Sequence, residues 1–536
     1  MTHVSATAVA YNEMNGIVGE PEEMLITRCV RHSAAFAALL LLMVVANPSI
    51  ARAGAAAGPI DFRSYAIGSV NGADRKYFTV HLVPGTSARQ AEHIAAFFRR
   101  SGLTINTDSQ DDILFASGTY AQAGAAAHVT FVRAAYLGRR FITIAGRETY
   151  PSDIAAHIMA TTLADGPTAR VSSFANPNGI EVGPASGYGP SDIASYYDYG
   201  SIESLGHGGG GTNIAVVLCG GIYPPDVQSY ENFFGLPTNV PKVVPVDGGS
   251  SGTYFNTTGQ VELIFATANS ATVTAYIVPS ACTYGDIADG VAKVLADDST
   301  TKYEALVIGY GDFEDAYHSF GGDGYVTAED ADFAGLAAKG TTTFASNGDA
   351  GAFSYLTAGD VGVFFPGSDP NVVSVGVTMA VASSSSPPKR SFEPASYISG
   401  GGVSAKFTIP KWQKGIPGIA SATMRNVPDV SFNGDCQFEY YVLYAGSRYL
   451  ACGSVFGATQ WAGLLALVDA GRANALKSPL ANVPGKLYAE RKVSGLFTDV
   501  TVGCNGIYCA ASGYDNVTGL GVPDASIVYS TLVGLP

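Results

Sequence analysis

The amino-acid sequence predicts an α/β protein, with a parallel sheet covered by helices on both faces and a small α+β domain ahead of it. Short apolar runs alternate with helical stretches from Tyr188 onward, the pattern of buried parallel strands and crossover helices. The 536 residues exceed one ordinary hydrophobic core, so two folded units are expected. Hydrophobic residues make up 47% and charged residues 14%, which favours a packed globular protein over disorder.

The first 53 residues are predicted to be an export signal region. Arg28 and Arg31 precede an apolar run at 34–46, and Ala51-Arg52-Ala53 is a small-x-small cleavage pattern. The run is shorter than the roughly 20 residues of a membrane span. We therefore expect a secreted or periplasmic protein without a membrane span after signal removal. Met24 is an alternative start, because the preceding stretch is polar and acidic.

The small α+β domain is predicted to span residues 60–164. The run 76–82 is typical of a strand, and Ser87 with Gln90 forms a capping box at the start of an amphipathic helix that Gly102 ends. A second strand near 113–115, a short alanine-rich helix and a hairpin across Leu137-Gly138 follow. Residues 165–187, rich in Gly, Pro, Ser and Asn, are predicted to be a linker.

The large domain is predicted to span residues 188–536. We expect buried parallel strands and, between them, helices at the following positions: strands 214–218, 275–278, 305–308, 341–345 and 372–375, and helices 226–234, 261–271, 285–297 and 328–339.

Seven cysteines become six once Cys29 leaves with the signal, an even number that suggests disulfides in an oxidising compartment. Six cysteines allow 15 pairings. The local pairs Cys504 with Cys509 and Cys436 with Cys452 are the simplest, which leaves Cys219 and Cys282. Free buried thiols are the alternative.

The net charge of −15 argues against a nucleic-acid partner, because such proteins carry a basic surface.

Several motifs resemble, in their order along the chain, those of the sedolisin (kumamolisin-like serine-carboxyl peptidase) family. They are 364–372 with 375–378, the glycine-rich 400–404 with Pro410-Lys411-Trp412-Gln413, and 425–431. The resemblance implies a subtilisin-like peptidase domain at 188–536, preceded by a ferredoxin-like activation propeptide at 60–164.

The family's chemistry uses a Glu and an Asp four residues apart on one helical face, aimed at a serine. A separate Asp donates a hydrogen bond to the oxyanion. Matched residue by residue, Gln260 stands at the Glu position, Ile264 at the Asp position and Val455 at the serine position, while Asp349 matches the oxyanion Asp. An amide cannot act as the base, and the hydrocarbons have no proton to exchange, so the resemblance implies an inactive enzyme. Asp349 is otherwise a turn residue bonded to its own backbone.

A shifted register does not restore the site. Glu262 lies about 200° around the helix from Gln260, and its neighbours four residues away are Thr258 and Ala266. A shift by one residue would expose Ser454 as the nucleophile, still without a base.

The C-terminal loop resembles the family's calcium site, in which carboxylates and backbone carbonyls surround the cation. The resemblance implies Ca²⁺ bound by the carboxylates of Asp499 and Asp515 and the carbonyls of Val500, Ala511 and Gly513. Two solvated turn aspartates are the alternative.

These observations predict a secreted pseudopeptidase that keeps its propeptide and binds a peptide or protein ligand in the cleft. One alternative is an active acid endopeptidase in which Ser454 acts. A second is an unrelated serine hydrolase that uses Ser250, because the segments 207–211 and 248–252 superficially match hydrolase motifs. The scarcity of histidine speaks against it, since only His207 and His318 follow residue 157.

Overall fold

The computed structural model describes residues 60–536, except 109–110, 172, 177–186, 205, 207, 355, 357–360, 384 and 386. Residues 58–536 form one compact unit. The predicted export signal and His207 lie outside the described residues. Among the described helices, none has the length and apolar character to cross a membrane.

The large domain is built on a parallel sheet of seven strands. In spatial order they are Lys242–Pro245, Thr272–Val278, Asn213–Cys219, Ala305–Ile308, Thr342–Ser346, Val372–Thr378 and Val430–Asn433. The inner strands are buried almost throughout, as continuous apolar runs require. The five predicted strands are confirmed, with ends that differ by at most three residues. The two outer strands were not predicted.

Helices cover the sheet on both faces, as predicted from the alternation of strands and helices. The long ones are Pro224–Phe234, Phe255–Thr267, Tyr284–Asp298, Asp323–Lys339 and Ser454–Asn474.

The helix expected at 261–271 instead spans Phe255–Thr267. Its first turns contain weak helix formers that tertiary contacts hold in place. The buried hydroxyl of Thr257 donates to the carbonyl of Gly221 at 2.6 Å, and Gly259 packs against Val442.

The small domain has a core of its own, formed by Phe78, Val80, Ile94, Phe98 and Leu114, among others. Its antiparallel sheet has the spatial order Thr104–Asp108, Ile113–Thr119, Arg75–Leu82 and Ile158–Thr161, crossed by the helices Ala88–Arg100 and Tyr120–Ala127. This is the strand order of a ferredoxin-like fold, as predicted. A second sheet contains Ala66–Ser69 and the predicted hairpin, Thr130–Tyr136 with Arg139–Ala145.

Polar contacts join the small domain to the large one. His81 Nε2 lies 2.9 Å from Asp332 Oδ1, and both side chains are buried. Arg139 pairs with Asp312 at 2.7 Å. The assignment of residues 60–164 as an activation propeptide stays a prediction.

Three disulfides cross-link the large domain: Cys219–Cys282, Cys436–Cys452 and Cys504–Cys509. They include both predicted local pairs.

Shorter elements complete the described structure. The strands are Arg170–Val171, Phe174–Asn176, Tyr310–Phe313, Phe364–Phe365, Val381–Ala382, Arg390–Phe392, Gly402–Thr408, Met424–Val427, Tyr440–Tyr444, Ser447–Cys452, Phe497–Thr498 and Val522–Pro523. The helices are Phe62–Tyr65, Ser152–Ala155, Pro190–Tyr196, Gly200–Ser204, Glu314–Ser319, Val483–Glu490 and Ala525–Gly534.

Candidate active site

The candidate site lies beyond the carboxyl ends of two neighbouring central strands. Gly309 follows the strand Ala305–Ile308, and Asp349 follows the strand Thr342–Ser346. Open parallel sheets commonly bind ligands at this edge. Two helices, Phe255–Thr267 and Ser454–Asn474, supply the remaining side chains.

Gln260 occupies the middle of the helix Phe255–Thr267 and is fully buried. Its Nε2 donates to the carbonyl of Asn256 at 3.1 Å and to the hydroxyl of Tyr310 at 3.4 Å. Its Oε1 is buried and has no partner among the described residues. The amide is therefore fixed by its donor side, while its acceptor oxygen faces the interior of the site.

Ile264 lies one turn further along the same helix and is fully buried in the main core. Glu262, between these two positions, accepts the N–H of Leu443 at 2.9 Å on the outer hairpin Tyr440–Cys452. Burial raises the pKa of Glu262 well above its usual value. This carboxyl is therefore held at the hairpin and away from the site.

Val455 is the second residue of the helix Ser454–Asn474 and is fully buried. Its side chain meets Gln260 at Gly309. A Cβ atom on Gly309 would overlap Val455 Cγ2, lie 2.9 Å from Val455 Cβ and lie 3.2 Å from Gln260 Oε1. The hydrocarbon and the amide oxygen thus surround the same point, and only glycine fits there.

Asp349 lies at the N-terminus of the helix that carries Val455. Its Oδ1 accepts the backbone N–H of Ser454 at 2.8 Å, where the helix dipole favours a negative charge. Burial nevertheless raises the pKa of Asp349 to about 6. The other oxygen, Oδ2, and the hydroxyl of Ser454 are both buried without a partner among the described residues. Asp349, Ser454, Val455 and Gln260 therefore form one cluster.

The linker borders this cluster on two sides, which the sequence did not predict because the segment has no apolar run. Arg170–Val171 pairs antiparallel with Tyr310 and Gly311. Phe174–Asn176 pairs antiparallel with residues 450–452, directly before Gly453 and the helix of Val455. The chain's own segment thus adds a strand to each of the two edges beside the site.

The C-terminal loop brings Asp499 and Asp515 to the same stretch of backbone. The N–H of Gly513 donates to Asp499 Oδ2 at 2.9 Å, and the N–H of Ala511 donates to Asp515 Oδ2 at 3.0 Å.

The two carboxylates differ in how many of their acceptor sites are filled. The N–H groups of Val517 and Thr518 occupy Asp515 Oδ1, and burial raises the pKa of this carboxyl, whereas Asp499 is exposed. No group of three or more His, Cys, Asp or Glu positioned for a metal occurs in the described part of the chain. A cation in this loop would need the carboxylates of Asp499 and Asp515 together with the carbonyls of residues 500, 511 and 513. Because backbone N–H groups already occupy Asp515, the residues fit this predicted ligand set only in part.

The contacts of Ser250 and His318, the two residues that an unrelated serine hydrolase would use, join each of them to other residues and not to each other. The Ser250 hydroxyl closes a local turn with Gly252, accepting its N–H at 3.2 Å. His318 lies in the helix Glu314–Ser319, where its Nδ1 is 2.8 Å from Asp323.

Known proteins share this architecture. The solved structure of Pseudomonas sedolisin (serine-carboxyl proteinase), complexed with two molecules of pseudo-iodotyrostatin, matches with a TM-score of 0.55 and 24% identity, covering 65% of this chain and 99% of that chain. The fold is therefore the subtilisin-like α/β fold of this proteinase.

Sequence comparison gives the same grouping. The chain is 30% identical over 362 residues to kumamolisin of Bacillus sp. (strain MN-32), covering 63% of this chain and 62% of that protein. It is 23% identical over 485 residues to sedolisin of Pseudomonas sp. (strain 101), covering 84% and 80%. The match thus spans a little under two thirds of kumamolisin. No family model matches the chain. The chain is a homologue of the sedolisin family of peptidases.

Proposed function

We propose that this protein is a secreted sedolisin-family homologue that does not hydrolyse peptides and that binds an extended peptide or protein segment in its cleft. The observation that carries the proposal is the packing of Val455 and Gln260 around Gly309. Hydrolysis by this route needs a hydroxyl whose proton passes to a carboxylate base. A methyl group and a neutral amide occupy that position, so neither proton transfer nor acyl-enzyme formation can occur there.

The binding role is supported by the two strand edges beside the site. The edges at Tyr310 and at residues 450–452 each accept an extended segment of the chain itself. Extended peptides bind proteins by the same main-chain pairing. A foreign peptide would have to displace residues 170–176, so binding is expected to be weak while the linker is intact. Without hydrolysis the chain cannot cut itself, and its predicted propeptide remains attached.

Proteolysis assays test the loss of activity directly. The purified chain is incubated with denatured casein between pH 3 and pH 7, and we expect no fragments. The variant Gln260→Glu/Ile264→Asp/Val455→Ser should gain cleavage or cut its own linker. The matched control Gln260→Glu/Ile264→Asp keeps the valine and should remain inactive. Casein cleavage by the wild type, or covalent attachment of a serine-directed aldehyde, would refute the proposal.

The contact between Asp349 and Ser454 favours one second candidate function, an acid peptidase in which these residues act. Both the hydroxyl of Ser454 and Asp349 Oδ2 are buried and without partners in the described part of the chain. A carboxyl with a pKa of about 6 can accept a proton near neutral pH. Casein cleavage that is lost in both Ser454→Ala and Asp349→Asn would establish this activity instead.

Calcium binding in the C-terminal loop is part of the proposal. Ca²⁺ would supply positive charge between Asp499 and Asp515 and stabilise the loop. Addition of EDTA should then lower the melting temperature of the wild type, but not that of Asp499→Asn. The surface variant Glu92→Gln serves as the control, because its exposed ion pair with Arg99 contributes little to stability. An EDTA shift of equal size in wild type and Asp499→Asn would exclude this site.

A further inference from the structure

A cavity of about 590 Å³ opens between the small domain and the central sheet. Small-molecule sites in proteins commonly have volumes of roughly 300 to 1,000 Å³. Its lining includes Asp247, which follows the strand Lys242–Pro245, and Pro279, which follows the neighbouring strand Thr272–Val278. The cavity therefore lies at the carboxyl ends of two parallel strands, where open α/β sheets bind ligands.

One wall of the cavity carries unpaired arginines. Arg133 and Arg140 lie on paired antiparallel strands, and the register of these strands places both side chains on the same face. Both are exposed, and neither guanidinium has a hydrogen bond or ion pair anywhere in the described ranges. Lys76 differs, because its Nζ is already paired with Asp165 at 2.5 Å. The two arginines are therefore available to an anionic group.

The opposite wall belongs to the large domain and carries carboxyl groups. Asp286 accepts the N–H of Thr283 through Oδ2 at 2.7 Å, at the start of the helix Tyr284–Asp298. Asp247 lies beside it in the lining, and Asp289 lies behind Asp247.

These acids are held partly neutral in the absence of a ligand. Burial and the neighbouring Asp289 raise the pKa of Asp247, and burial raises the pKa of Asp286 to about 6. Lys76 is the cation that opposes both shifts. Asp289 is also buried and accepts the hydroxyl of Thr79 at 2.8 Å. A cation placed against Asp247 would favour its ionised form and displace its proton.

Apolar surface also lines the cavity. It is contributed by Ile67, Phe141, Ile142, Pro279 and Ala281. A simple anion would satisfy only the arginine wall, and a metal ion would satisfy only the carboxyl wall. A ligand with both charges at its ends and an apolar body between them matches all three surfaces.

We propose that this cavity binds a small zwitterion, specifically a dipeptide with apolar side chains, whose carboxylate meets Arg133 and Arg140 and whose ammonium group meets Asp247 and Asp286. Guanidinium groups bind carboxylates through paired, charge-assisted hydrogen bonds. The site is separate from the Gln260–Val455 cluster, and it rests on the proposed function in that the small domain, which carries both arginines, stays attached to the large domain.

Isothermal titration calorimetry of the full chain tests the site with the dipeptide Leu-Phe as the probe. Each charge is removed in turn with N-acetyl-Leu-Phe and with Leu-Phe amide, and we expect each blocked ligand to bind about tenfold more weakly or worse. Titrations near pH 7 in two buffers of different ionisation enthalpy should report release of about one proton per ligand bound, because the ammonium group ionises Asp247.

Variants locate the binding. Arg133→Gln/Arg140→Gln should weaken binding of Leu-Phe at least tenfold, and Asp247→Asn should do so as well. The exposed Arg89→Gln on a helix of the same domain should leave binding unchanged. Asp247→Asn provides an independent test if the arginine variant does not fold, since an amide is close in shape to the neutral acid.

Three results would overturn the proposal. One is the absence of binding heat at millimolar Leu-Phe with folded protein. Another is equal affinity for Leu-Phe and its blocked forms. The third is equal affinity of Arg133→Gln/Arg140→Gln and Arg89→Gln, which would place the dipeptide elsewhere on the chain.

Discussion

The convergence of Val455 and Gln260 on Gly309 predicts a specific energetic coupling between residues 309 and 455. In Gly309→Ala the new methyl group overlaps Val455 Cγ2, and we expect the free energy of unfolding to fall by about 1–3 kcal/mol, the usual range for overpacking. Val455→Ala removes two buried methyl groups and should cost about 2–3 kcal/mol, from roughly 0.8 kcal/mol per group plus the cavity left behind.

The double variant distinguishes this arrangement from two unrelated defects. Removal of Val455 Cγ2 makes room for the methyl group on residue 309, so the double variant should be more stable than the sum of the single losses by about 1–2 kcal/mol. Denaturant unfolding of the four proteins measures this coupling. Gly309→Ala combined with Val528→Ala, a buried valine in the C-terminal helix, is the control and should be additive.

Additivity of the 309 and 455 substitutions within about 0.5 kcal/mol would refute the reasoning. Val455 would then not face Gly309, and the assignment of this residue to the nucleophile position would lose its structural support.

Three further predictions concern stability. Burial raises the folded-state pKa of Asp349 to about 6, above the ordinary 3.8, so the wild type should lose stability as the pH rises from about 4 through 6. The loss should be roughly 3 kcal/mol relative to Asp349→Asn. Thermal unfolding of both proteins at pH 4 and pH 7 tests this, and parallel pH profiles would contradict it. Asp429→Ala leaves the buried Arg425 guanidinium without its carboxylate partner at 2.5 Å and should cost about 3–5 kcal/mol in chemical denaturation, so a loss below about 1 kcal/mol would mean that water reaches the pair. A disulfide that closes a longer loop restricts the unfolded chain more. Replacing Cys219–Cys282, with a sequence separation of 63, by two serines should therefore cost about 4 kcal/mol, against about 2 kcal/mol for Cys504–Cys509, with a separation of 5. Melting curves that rank the two variants in the opposite order would count against loop entropy as the cause.

The central strands could be predicted because their residues are buried on both faces. A run such as Ile214-Ala215-Val216-Val217-Leu218 leaves few alternatives to a buried parallel strand. The outer strand Lys242–Pro245 was missed because three of its four residues are exposed, and because Lys242 and the prolines on either side interrupt the apolar pattern. The start of the helix at Phe255 was missed because Thr257, Thr258 and Gly259 have weak helical propensity, and contacts from other elements hold them in the helix.

The candidate site was partly predictable. The resemblance to the sedolisin family identified Gln260, Ile264, Val455 and Asp349 as matching positions, but it did not give the contacts that these residues make here. The structure joins Asp349 to Ser454 by a hydrogen bond and brings Gln260 Oε1 and Val455 to the same point. These contacts link residues up to about two hundred positions apart, and no local pattern encodes them.

The sequence by itself determined the chemical groups at the matched positions and the buried central strands, because these depend on residue type and near-neighbour spacing. Only the tertiary structure decided that the linker pairs with the strand edges beside Val455, and that arginines of one domain and carboxyl groups of the other line one cavity. Such arrangements follow from how separate elements pack, since strand edges and cavity walls come into existence only when distant segments meet.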